Sequence, residues 1–206
     1  MALLTHNSRS GDRFRSRGWR LCCLLLGLWI ASRSAFPVQA QPSRAREYQV
    51  KTAYLFNFAK YVEWPPRAFS SPDAPVEIGV LGADPFGDLL EKVIGSRLVG
   101  SRKVLVRRSR RVEDLRQCHI LFISNSERER AGAIFESLKG TFALTVTEFP
   151  ETFVSGGIIT FVIENGVVRF DLNLDEAENA GLKISARMAN TARIVYSRKR
   201  NNPKTP

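Results

Sequence analysis

The run His119-Ile120-Leu121-Phe122-Ile123-Ser124 constrains the fold more than any other stretch of the chain. A strand that is apolar on both faces must be covered on both sides, and that pattern belongs to a central strand of a parallel sheet. Its surroundings agree. Residues 76–81, 103–107 and 142–147 read as further strands, with helical patterns between them. Strands alternating with helices imply βαβ units. The expected fold class is α/β: a single domain with a mostly parallel sheet flanked by helices.

A C-terminal antiparallel β-hairpin completes it. Asn165-Gly166 sits between two alternating runs, a strong two-residue turn signal. Pairing outward sets Ile163 opposite Val168, Phe161 opposite Phe170 and Ile159 opposite Leu172, an apolar face expected to be buried. The polar face sets Val162 against Arg169, Thr160 against Asp171 and Ile158 against Asn173. Four helices are predicted around these strands, one of them a short helix that starts at Asp175 and ends near Gly181. Asp84 and Pro85 open one that Gly95 ends, and Ser126 with Glu129 forms a capping box for one reaching Leu138. Ile184, Met188, Thr191 and Val195 space a last helix from Lys183 to about Tyr196.

The domain opens on VKTAYLFNFAKYVEWPP, residues 50–66. Val50, Tyr54, Phe58, Tyr61 and Val62 share one helical face, while Leu55, Phe56 and Ala59 widen it. So apolar a helix is buried on more than one side. Pro65 stops it near Trp64. The plain reading is a core helix; the sharper one leaves Asn57, Lys60, Glu63 and Trp64 at a partner surface.

The N-terminus carries an export signal rather than fold. Five arginines between Arg9 and Arg20 precede an apolar core, Leu21 to Ile30, and Val38-Gln39-Ala40 offers small residues at the cleavage positions. Residues 1–40 are therefore read as a signal peptide, residues 41–197 as the domain and 198–206 as a basic tail. An uncleaved anchor is the alternative, but a span needs about 20 apolar residues. Without the leader's six Arg and one Asp, 25 basic and 19 acidic residues remain, a net charge of +6. Four of those bases lie in the tail, so the body is nearly balanced and nucleic acid is not an expected partner. A basic run from Arg102 to Arg111 reads as a charged edge strand and loop, or else as a docking surface for an acidic partner or lipid headgroups.

Little points to catalysis. After processing, Cys118 is a lone, buried-looking thiol and His119 the only histidine. There is no metal-ligand spacing, nucleophile turn or phosphate loop. No cofactor is expected. A binding cleft is more plausible where three strands end in polar turns, at Gly82-Ala83-Asp84, Ser124-Asn125-Ser126 and Thr147-Glu148. Gly82, Asp84 and Phe86 are the candidate ligand residues of a small-molecule sensor.

Four segments carry a family resemblance: VKTAYLFNFAKYVEWP, IGVLGADPFG, CHILFIS and GGIITFVIENGVVRFDLNLDEAENAGLKISARM. Together they resemble the YfiR family of bacterial periplasmic proteins, collinearly from about Tyr48 to Tyr196. The resemblance implies a regulator and not an enzyme. Such proteins repress an inner-membrane diguanylate cyclase through its periplasmic region, and an outer-membrane lipoprotein can sequester them. Cyclic di-GMP and biofilm formation follow. A homodimer is implied as well. Partner-facing residues would be Asn57, Lys60, Glu63 and Trp64, with Arg169, Asp171 and Asn173 on the hairpin second. One departure stands out. Disulfide-bearing members pair a cysteine at the position of Cys118 with one in the strand held here by residues 76–81, and this chain has Gly79 there.

Overall fold

The computed structural model describes residues 41–149 and 156–198; the expected leader and all of the expected tail beyond Arg198 lie outside them. Helix α1 spans Gln41–Tyr61 and strand β1 Val62–Glu63. Then come β2 (Val76–Leu81), α2 (Leu89–Ile94), β3 (Leu98–Val99), β4 (Arg102–Ser109) and β5 (Ile120–Ile123). Helix α3 (Ala131–Ser137) and β6 (Leu144–Thr147) precede the hairpin of β7 (Ile159–Glu164) and β8 (Val167–Asn173). The chain closes with α4 (Leu174–Asn179), β9 (Lys183–Ile184), α5 (Ala186–Thr191) and β10 (Ile194–Tyr196).

Eight strands form one sheet in the order β10-β8-β7-β6-β5-β2-β4-β3. Neighbours from β7 through β6, β5 and β2 to β4 run parallel, and β5 sits in the middle of that block. The hairpin is antiparallel in the expected register, with Ile163 opposite Val168, Phe161 opposite Phe170 and Ile159 opposite Leu172. Asn165 and Gly166 both take positive φ at its turn, as a two-residue hairpin loop of this type requires. The small pair β1-β9 aligns Val62 with Ile184 and ties the end of α1 to the C-terminal segment.

The strand period of two divides the core between the two faces. Ile78, Val80, Ile120, Phe122, Leu144 and Val146 join the cluster that also holds Leu55, Phe58 and Ala59 of α1. Leu81, Leu121 and Ile123 face the other way, against Ile134, Phe135 and Leu138. Within the first layer Phe58 meets Phe161 and Phe170 at ring-centroid distances of 5.9 and 5.0 Å. Such ring pairs add roughly 0.5–1.5 kcal/mol each beyond the area they bury.

The structure corrects three helical expectations. The segment after β2 does not turn helical at Pro85. Asp84 Oδ1 accepts the Phe86 N–H (2.8 Å), and Gly87, in the left-handed region at φ 52°, delays α2 to Leu89. Ser126 caps no helix. Its Oγ accepts the Ala83 N–H (2.9 Å), and residues Asn125–Arg130 wind as a 3-10 turn before α3. The last helix is the largest miss, since residues 183–196 form β9, α5 and β10. Ser185 caps only two turns by accepting the Met188 N–H, and Ala192 is extended. The open edge of β8 then takes Ile194–Tyr196 as a parallel strand, because backbone pairing at a sheet edge outweighs helical spacing in a β-branched run.

Candidate functional site

The partner residues expected on α1 separate by environment. Asn57, Lys60 and Glu63 are exposed. Trp64 is half-buried: its Nε1–H donates to the Phe142 carbonyl (2.9 Å), and its ring packs edge-on against His119 at 5.7 Å. Around this end, Lys60 and Arg97 lie over Phe56, and Arg187 lies over Tyr61.

The hairpin residues also separate. Arg169 is exposed. Asp171 is 8% exposed and accepts two hydrogen bonds from Arg193, at 2.9 and 2.5 Å. Asn173 is buried and caps α4 by accepting the Glu176 N–H (3.1 Å). The side chains of Asp171 and Asn173 are thus committed to holding the C-terminal segment.

The three ligand candidates have different surroundings. Gly82, at φ 91°, backs onto Ser126 and Glu127, which fill the space a side chain there would need. Asp84 Oδ2 accepts from Arg108 Nε (2.6 Å), and Arg108 also pairs with Glu91. Phe86 is core, edge-on to Tyr48 and Phe122 at 5.3 and 4.8 Å. The basic run has the same paired character. Arg102 reaches the Ala74 carbonyl and lies 3.8 Å from the Phe69 ring centroid, and Arg107 pairs with Glu77.

Sequence reasoning missed the charged network at the carboxyl ends of β6 and β7. Lys51 is 3% exposed and donates to Glu47 and to Glu148 Oε2 (2.6 Å). Tyr48 OH donates to the same Glu148 carboxylate at 3.1–3.2 Å. Burial pulls the Lys51 pKa down, but the hydrogen bonds to Glu148 and Glu47 outweigh it and raise the value. Burial and the Glu148 charge raise that of Tyr48. A cleft of about 630 Å³ opens above the network, reaching Arg44, Asn125, Thr160 and the Asp171–Arg193 pair. A signal was present. Lys51 lies three residues from Tyr48 and four from Leu55, a charge inside an apolar stripe, and Thr147-Glu148 ends a strand.

At the opposite end of the strands, His119 stacks on Phe69 at 4.4 Å. Its Nδ1 accepts the Glu77 N–H (3.1 Å), which places the proton of the neutral ring on Nε2. Nε2 has no hydrogen-bond partner among the described residues. Burial lowers the His119 pKa, although Glu77 and the Ala68 carbonyl oppose the shift. A proton on Nδ1 would face the Glu77 N–H. The unfolded chain therefore binds that proton more readily, and stability present above about pH 6.5 is lost as pH falls through the lower folded value. We expect the melting temperature to drop between pH 7 and pH 5, with the drop smaller in His119→Gln. Equal slopes in the two proteins would remove His119 as a cause.

Comparison with known proteins places this geometry. No curated protein matches the chain. The solved conserved domain protein from Vibrio cholerae O1 biovar El Tor strain N16961 shares the fold, with a TM-score of 0.51 and 9% identity over 72% of this chain. This chain spans 60% of that structure. The ABC domain of Streptococcus pneumoniae, solved with L-Trp, is more distant: TM-score 0.44 and 10% identity, over 58% of this chain and 55% of its own. The sequence profile described as YfiR/HmsC-like matches residues 48–193, from the second turn of α1 to the approach to β10. On that match, which takes in most of α1 with Trp64 beyond its end and the whole β7–β8 hairpin, the chain belongs to the YfiR/HmsC-like family.

Proposed function

We propose that this protein is a periplasmic repressor that binds the periplasmic region of an inner-membrane diguanylate cyclase and holds it inactive. The family match carries the reading: YfiR/HmsC-like proteins are regulators of cyclic di-GMP signalling and act in the periplasm. The leader pattern of residues 1–40 supports export, and no helix among the described residues is long and apolar enough to cross a membrane. The partner surface is the exposed end of α1, with Asn57, Lys60 and Glu63 beside Trp64. A homodimer and an outer-membrane lipoprotein antagonist belong to the same proposal.

Deleting the gene is expected to raise cellular cyclic di-GMP several-fold, and an exported copy should reverse the rise. A copy carrying Lys60→Glu should not, because it inverts an exposed charge on that surface at the cost of one cation contact over the Phe56 ring. This variant is cleaner than Trp64→Ala, which also removes the indole bond to Phe142 and a contact on His119. An unchanged cyclic di-GMP level on deletion would sink the repressor reading.

The 630 Å³ cleft supports a second reading, a small-molecule sensor, since ligand sites of about 300–1,000 Å³ favour the carboxyl ends of parallel strands. A ligand at a hundred times its Kd adds about 2.7 kcal/mol. Thermal shift against metabolite pools would reveal it, and no shift with any pool would count against it.

A further inference from the structure

We propose that the groove between the N-terminal half of α1 and the β7–β8 hairpin docks an acidic, amphipathic helix of a protein partner. The inference rests on the regulatory reading above for its assumption that the partner is a protein. It concerns a surface different from the Trp64 end of α1.

The groove arises because helix and hairpin diverge. At Tyr54 they are in contact: its ring packs on Phe161 and Phe170, and its hydroxyl donates to the Val168 carbonyl (3.5 Å). One turn closer to the N-terminus the Lys51 ammonium lies 5.8 Å from the Phe161 ring centroid, and beside it Val50 and Ile163 line an open groove. Val168 is still buried there, but its hairpin partner Ile163 is left uncovered. Ile163 is 53% exposed and, across from it, Val50 38%; Val167, which strand alternation assigns to the other face, lines the groove beside the turn and is 50% exposed. About 940 Å³ lies between these walls. Aliphatic side chains on two facing elements are what an apolar helix face requires of its groove.

Charge selects the occupant. The described exposed positions of α1 carry three cations, Arg44, Arg46 and Lys60, and no acid. Arg44 and Arg46 line the groove and lie in the first two turns of the helix, where the backbone dipole disfavours positive charge and where the first turn holds no acidic residue. A local preference broken this way, with no ion pair among the described residues to offset it, marks a surface kept for something else. The two carboxylates nearby are already engaged, Glu47 by Lys51 and Glu164 by Arg193 at 3.8 Å. An incoming helix would seat aliphatic side chains one turn apart against Val50 and Ile163, with its carboxylates on Arg44 and Arg46.

The same features disfavour other occupants. A second copy packed antiparallel along α1 would set Arg44 and Arg46 against Lys60, like charge on like. A lipid surface calls for apolar groups that protrude, whereas the hairpin tip is Asn165-Gly166 and the aliphatics sit on the groove walls.

The test uses the exported protein and a fluorescein-labelled helical peptide of about 16 residues, with leucines on one face and glutamates on both flanks. Anisotropy should report saturable binding that weakens with added salt. Arg44→Glu with Arg46→Glu, and separately Ile163→Asp, should each weaken it at least tenfold while leaving the thermal transition unchanged. A peptide of equal charge with serine for leucine should not bind. The proposal is overturned if the wild-type protein ignores the leucine peptide, or if these variants bind it as well as wild type. It is also overturned if wild type co-sediments with phosphatidylglycerol vesicles and loses that on the same substitutions, which would make the surface a membrane contact. These readouts need no cyclase, so their failure leaves the cyclic di-GMP result standing, and the reverse holds too.

Discussion

Replacing Lys51 with Met is expected to lower the unfolding free energy by about 3 kcal/mol. Removing one partner of a buried ion pair costs roughly 3–5 kcal/mol, because the remaining charge is left without compensation. Glu148 would be that charge, its side chain only 10% exposed. The Tyr48 hydroxyl still donates to it, which puts the effect at the low end of the range. For a domain of this size about 3 kcal/mol corresponds to roughly 10 °C in melting temperature. Adding Glu148→Gln to Lys51→Met should recover part of the loss by removing the stranded charge. Urea denaturation of the single and double variants decides it, and a loss under about 1 kcal/mol would show that solvent relaxes the pair. The raised Lys51 pKa supplies a second check. A proton held more tightly in the folded state stabilises fully below the unfolded pKa near 10.4, and that contribution disappears as pH rises through the folded value.

Gly79→Cys is expected to form a disulfide with Cys118 during oxidative folding and to stabilise the oxidised protein by about 3–4 kcal/mol over its own reduced form. A Cβ at position 79 would lie 2.9 Å from Cys118 Sγ and 3.3 Å from its Cβ. That is a few tenths of an ångström inside the usual Cβ–Cβ separation of about 3.5–4.5 Å. The bridge would close a loop with 38 residues between the two positions, and the chain-entropy argument then yields about 4 kcal/mol. Bond formation must accompany folding. Burial pushes the Cys118 thiol up to about 12, so the native protein offers almost no thiolate at neutral pH. The reduced variant should be weaker than wild type, because the new Cβ also meets Leu121 Cδ1 at 2.9 Å. Loss of two hydrogens by mass, and a denaturation midpoint that falls on reduction, are the expected readings. Two free thiols after oxidative refolding would refute it. The same geometry explains why glycine suits this position in a chain with one cysteine in the domain: the Cys118 sulfur already occupies the space.

Local chemistry made much of this protein legible. The two-sided apolar run at β5 required cover on both faces, and the structure places it mid-sheet between clusters on either side. The hairpin register followed from Asn165-Gly166 alone, since a two-residue loop leaves no freedom to slip. Pro65 required a stop by Trp64, and α1 ends three residues before that, at Tyr61, where Val62–Glu63 pair with β9 instead. Each of these signals is complete within about a dozen residues.

Tertiary structure decided the rest, because the deciding partner lay far along the chain. Ile194–Tyr196 became a strand only because β8 had an open edge, and Asp171 was withdrawn from the surface by Arg193, 22 residues on. Lys51 found Glu148 across 97 residues, turning a polar interruption in a helix into the anchor that seats it. Ile163 shows the converse: its period-two spacing called for burial, but α1 turns away before reaching it. The sequence by itself determined the central strands, the hairpin and the sheet class, all set by short-range sterics and burial period. Which charges are paired and which aliphatics stay uncovered depended on how α1 crosses the sheet, and only the packed structure decides that.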